Sequence, residues 1–139
     1  MNIEDALIAA TRFFTLETLG IESELSKNDW EAAFWSASIP IGGNMRAYLY
    51  IPKPTLERMA LLFLNEESPQ DDVLRDLVME VANLIVGKAK VIAQKNDLFF
   101  NISTPNFEGS DINLKRRSKH IYFKFGEDGL AISVKKRRS

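Results

Sequence analysis

The sequence predicts an α/β (α+β) fold of two layers, in which a mostly antiparallel sheet built from hairpins packs against three helices. Three observations lead there. Apolar residues recur at helical spacing in three separate segments, and two pairs of strand-like segments are each joined by a glycine-containing turn. The 139 residues are 45% hydrophobic, enough for one core of ordinary size, so a single domain spanning 1–139 is expected.

The elements follow in order. Ile3, Leu7, Ala10 and Phe14 mark an amphipathic first helix that Asn2 caps and Gly20 closes. Polar residues make 22–29 a loop, and 30–41 and 46–51 read as strands joined through Gly42-Gly43-Asn44, residues that tolerate positive φ. Pro52 and Pro54 stop the second strand, and 55–63 reads as a short helix capped by Thr55 and broken at Ser68-Pro69. Residues 71–95 form the long third helix, with acids in its first turn and lysines in its last, as the helix dipole favours. A strand is expected over 98–103, ending at Thr104-Pro105, and a polar irregular segment runs on through 113. The closing hairpin comprises 121–125, a turn at 126–129, and 130–134.

Composition removes several classes of function. The absence of cysteine excludes disulfides, thiol catalysis and cysteine-ligated zinc. Acids occupy the N-terminal residues where a secretory signal carries lysine or arginine, and no apolar run approaches the ~20 residues that span a bilayer. A cytoplasmic protein with no membrane partner is the simplest expectation. Net charge is only −1, yet residues 1–70 hold 5 basic and 10 acidic side chains while 115–139 hold 9 basic and 2 acidic.

One face of the third helix stands out. At about 100° per residue, Asp76, Glu80, Asn83 and Gly87 fall in one narrow sector that Lys90 and Gln94 continue, and nearly everything opposite is apolar. A solvated face has no need of a mid-helix glycine, which costs roughly 1 kcal/mol against alanine, so Gly87 points to close approach by something outside the helix.

The chain resembles the CheC/CheX family of chemotaxis phosphatases. An acid or serine, then Glu-x-x-Asn, then glycine lie along one exposed helix face in that family, and Asp76, Glu80, Asn83 and Gly87 match in order and spacing. The segment Leu-Phe-Phe-Asn-Ile-Ser-Thr-Pro-Asn-Phe-Glu-Gly over 98–109 is similar to the strand-plus-proline segment that follows the motif helix, and the single Glu-x-x-Asn favours the CheX branch over CheC, which has two. The resemblance implies dephosphorylation of a phosphorylated CheY-like response regulator. Asn83 would then orient the attacking water, Glu80 would pair with the regulator's lysine, and Asp76, Gly87 and Lys90 would contribute to docking. It implies no cofactor bound by this chain, with Mg2+ supplied in the regulator's own site, and dimers formed by sheet extension.

Other readings of the same residues are weaker. One carboxylate and an amide make a poor metal site, so no metal is expected at Glu80 and Asn83. His120, the sole histidine, reads as an ordinary surface residue. The basic segments Lys115-Arg116-Arg117 with Lys119 and Lys135-Lys136-Arg137-Arg138 suit phosphate backbones, but the pI of about 5.9 and the opposed directions of Tyr122 and Phe123 in a strand argue against nucleic acid. A non-catalytic scaffold that sequesters a regulator or flagellar-switch component is the alternative function, disfavoured because a scaffold has no chemical need for the amide.

Overall fold

The computed structural model describes residues 1–26, 33–114 and 119–136. Lys115-Arg116-Arg117, Arg137-Arg138 and the start of the strand expected at 30 lie outside the described residues.

Helix α1, Ile3–Leu19, begins and ends as its sequence dictates. Asn2 and Asp5 form a reciprocal capping box, with Asp5 N donating to Asn2 Oδ1 at 2.8 Å and Asn2 N to Asp5 Oδ2 at 3.1 Å. Gly20 closes it at φ 71°, left-handed backbone that favours glycine. Beyond it lie β1 (Glu24–Ser26), β2 (Phe34–Pro40), β3 (Met45–Pro52), α2 (Lys53–Leu64) and α3 (Asp71–Gln94). The chain continues through β4 (Asn106–Ile112), β5 (Ile121–Phe125) and β6 (Asp128–Lys136).

The six strands form one sheet in the order β1-β5-β6-β3-β2-β4, antiparallel throughout. Both hairpins form as expected, β2 with β3 around Gly42 and Gly43, and β5 with β6 around Gly126 and Glu127. All three helices share a core with one face of the sheet. Leu7 and Phe14 of α1, Leu56 and Met59 of α2, and Leu74, Val78, Val81 and Ile85 of α3 meet Ala37, Ile39, Leu49, Ile51, Phe123, Leu130 and Ile132. The architecture is therefore the anticipated α+β arrangement of three helices on an antiparallel sheet.

Five local expectations are corrected. The strand expected over 98–103 is irregular, with backbone bonds from Leu98 N to the Ala93 carbonyl and from Ser103 N to the Pro40 carbonyl, and the strand forms instead at the polar segment that follows. The edge of β2 pairs with Asn106–Ile112 through a bulged register, and that edge strand partly buries Phe107 on one face of the sheet and Ile112 on the other among polar neighbours. Part of the expected loop, Glu24–Ser26, pairs with β5 as β1. Thr55 is not the cap of α2, whose N-cap is Pro52 with no side-chain bond. Its hydroxyl donates to Asp128 Oδ1 at 3.0 Å, and Arg58 Nε lies 2.9 Å from Asp128 Oδ2, which ties α2 to the β5–β6 turn. The last turn of α3 carries no lysine, because Lys88 and Lys90 sit a turn earlier and Lys95 is the C-cap. His120 is half-buried rather than on open surface, its ring 5.3 Å from that of Tyr50 and 6.1 Å from that of Tyr122.

Candidate functional site on the third helix

Burial of one side of α3 decides what the other side presents. Leu74, Leu77, Val78, Val81, Ala82, Ile85, Val86, Ala89 and Ala93 are buried, a wide apolar stripe that fixes the rotation of the helix on the sheet. Asp76, Glu80 and Asn83 are consequently exposed, and Gly87 and Lys90 are partly covered. At 1.5 Å per residue the row from Asp76 to Gly87 runs about 16 Å along the surface. The structure thus places Asp76, Glu80, Asn83, Gly87 and Lys90 along one side of α3, away from His120.

The side chains of Glu80 and Asn83 make no hydrogen bond or ion pair among the described residues. An exposed carboxamide can donate to and accept from water, and the carboxylate one turn before it is free to meet a cation. A Cβ built on Gly87 would meet no atom within 4 Å beyond the helix's own nearby backbone, so no packing among the described residues requires glycine there.

Among the described residues no group of three or more His, Cys, Asp or Glu side chains could hold a metal ion. Asp76 and Glu80, one turn apart, supply only two carboxylates, fewer donors than the roughly six to eight oxygens that a cation such as Ca2+ takes up. No helix among the described residues is long and apolar enough to cross a membrane.

The sequence reading missed the neighbour of this row. Asn83 and Gly87 form one wall of an open depression of about 370 Å³ between α1 and α3, lined also by Phe13, Phe14, Leu84 and Val91. Lys88 Nζ lies 4.0 Å from the centre of the Phe13 ring. The available signal was the pair Phe13-Phe14, since a helix can turn only one of two adjacent rings into its core.

The family model for the chemotaxis phosphatase CheX matches residues 36–125, well over half of the chain, including the whole of α3. The chain belongs to the CheX family. Solved structures share the fold. CheX from Vibrio vulnificus superposes with a TM-score of 0.70 at 15% identity, covering 97% of each chain. CheX from Desulfovibrio desulfuricans gives 0.69 at 20% identity, over 99% of this chain and 100% of that one. The CheX-CheY-BeF3-Mg2+ complex from Borrelia burgdorferi contains a chain that gives 0.70 at 16% identity, covering 99% of both. No curated protein matches the chain in sequence.

Proposed function

We propose that this CheX-family protein, a single domain over 1–139 acting in the cytoplasm, hydrolyses the aspartyl phosphate of a CheY-like response regulator. The observation that carries this is the pair Glu80 and Asn83, exposed one turn apart within the family-matched region and engaged by nothing among the described residues. Docking would insert Asn83 beside the phosphorylated aspartate. Its carboxamide oxygen would accept from the attacking water and hold it in line with the phosphorus. The new P–O bond forms as the bond to the aspartate oxygen breaks, the aspartate carboxylate leaves with the electron pair, and the water's oxygen and both its protons stay on the inorganic phosphate released. Positioning and charge stabilisation supply most of the acceleration in such a transfer.

Glu80 would pair with the regulator's lysine and set the pose, while Asp76 and Lys90 flank it and Gly87 lets the helix lie close. Mg2+ would be held by the regulator and would neutralise charge on the transferring group. A homodimer belongs to the same reading, with β1 and β4 as the available sheet edges.

The test is phosphate release from a regulator labelled with acetyl phosphate, with and without this protein. Acceleration is expected. Binding to the regulator without acceleration would replace the phosphatase with the scaffold.

A further inference from the structure

Scattered exposed apolar side chains are ordinary on a protein surface, but several converging on one depression are not. Phe13 (45% exposed), Leu84 (47%) and Val91 (44%) come from two different helices and line the groove between α1 and α3. The groove is no separate feature of the surface. Asn83 and Gly87 stand in its wall, and from Asn83 to Val91 it follows α3 for about 12 Å.

Its rim has a defined charge. The Lys88 ammonium rests over the Phe13 ring at 4.0 Å, an arrangement in which the negative face of the ring holds the cation in place. Among the described residues no carboxylate lies within ion-pair distance of Lys88. A fixed, unneutralised cation beside an apolar trough selects an occupant that brings an apolar side chain together with a carboxylate.

We propose that this groove seats such a pair of side chains from the CheY-like regulator itself, so that α1, through Phe13 and the Lys88 it positions, decides which regulator is accepted. The proposal rests on the phosphatase reading and extends it from chemistry to substrate choice. The regulator is the occupant because of the shared wall: a partner that places its phosphorus at Asn83 necessarily covers Gly87 and the adjoining groove. A second copy of this chain seated there would exclude the regulator. Asn83 therefore acts on the water, and the groove acts only on affinity.

The experiment compares Phe13→Ala, Val91→Glu and Lys88→Gln with the parent and with Asn83→Ala. The probe is a CheY-type receiver domain activated with Mg2+ and BeF3−, titrated by fluorescence anisotropy, with steady-state hydrolysis followed on the acetyl-phosphate-labelled domain. Each groove variant is expected to weaken affinity about tenfold and raise KM in step, with kcat within about twofold of the parent. The loss in Lys88→Gln should shrink at high salt. Circular dichroism melting shows whether the charge introduced at position 91 is tolerated, and Phe13→Ala carries the test if it is not.

Groove variants that bind like the parent, while Asn83→Ala abolishes turnover, overturn the groove and spare the phosphatase. Groove-dependent binding by a parent that accelerates nothing spares the groove and overturns the phosphatase. A parent that fails to bind the receiver overturns both. Variants that change self-association in sedimentation velocity, with regulator affinity untouched, assign the groove to a second copy and overturn the proposal.

Discussion

Polar side chains gather in two places on this molecule, along the outward face of α3 and across the face of the sheet turned away from the helices, and they are held in opposite ways. On the sheet, Arg46 is only 8% exposed and donates through Nε and Nη2 to Ser38 Oγ at 3.2 and 3.1 Å, while Ser38 donates in turn to Glu108 Oε1. Tyr50 shares a hydrogen bond with Ser133 at 3.4 Å, and Lys135 reaches the Tyr50 hydroxyl at 3.5 Å and lies over the rings of Tyr48 and Tyr50. Phe34, Tyr122 and Ala131 pack around this network. On α3, Glu80 and Asn83 bond to nothing among the described residues. A buried polar group left unpaired costs about 1–3 kcal/mol, a cost that Arg46, Ser38, Tyr50 and Ser133 avoid by bonding to one another, while Ser36 Oγ on the same face has no partner among the described residues. Groups in water carry no such obligation and stay available to a partner. Internal bonding therefore marks Arg46, Ser38 and Tyr50 as residues that build the fold, and leaves Glu80 and Asn83 open to the proposed partner.

The largest effect that would sharpen this contrast is at Asn83. Asn83→Ala should lower stimulated dephosphorylation by roughly 10² to 10³, as loss of one positioned group does, while its thermal melting stays at that of the parent. Unchanged turnover in a quench assay would sink the water-orienting role.

Arg46→Met should do the reverse. It keeps the packed stem and removes the guanidinium, so urea unfolding should register a loss of about 2 kcal/mol with kcat unaltered. A fall in turnover at full folding would break the division between the two faces.

Glu80→Gln should weaken regulator affinity by about tenfold, an effect that diminishes with salt because it removes a charge pair formed only on docking. Affinity indifferent to the substitution would move Glu80 from docking to the water.

Smaller still is Gly87. Alanine meets no atom within 4 Å and should raise stability by up to ~1 kcal/mol, whereas Gly87→Leu should fold and fail to dock. A leucine variant that binds like the parent would show that this is not the docking surface.

The least effect is confined to alkaline pH. Burial raises the Tyr50 hydroxyl above its ordinary 10.0, opposed by the bond to Ser133 and aided by the charge of Glu108. The unfolded chain therefore releases this proton first, so the contribution to stability is whole below pH 10 and is lost as pH rises toward the folded value. Tyr50→Phe should flatten the decline of melting temperature above that pH, and an unchanged slope would remove Tyr50 as its source.

What the sequence determined by itself is what depends on neighbours a few residues apart. Asn2 and Gly20 bound α1, glycines turn both hairpins, and the 100° step places Asp76, Glu80, Asn83 and Gly87 on one side of an otherwise apolar helix, because capping, turn conformation and helical rotation are set within one or two turns of chain. The candidate site was legible for that reason: it lies on a single element. Tertiary structure decided the rest. Composition favoured 98–103 as a strand, but the free edge of β2 took Asn106–Ile112 through a bulged register, a pairing between segments about 70 residues apart that composition alone does not select. Thr55 found Asp128 across 73 residues of chain, Ser38 found Glu108 across 70, and Phe13 found Lys88 only once α1 lay beside α3. No local pattern encodes such pairings, because their energy exists only after distant segments have been brought together.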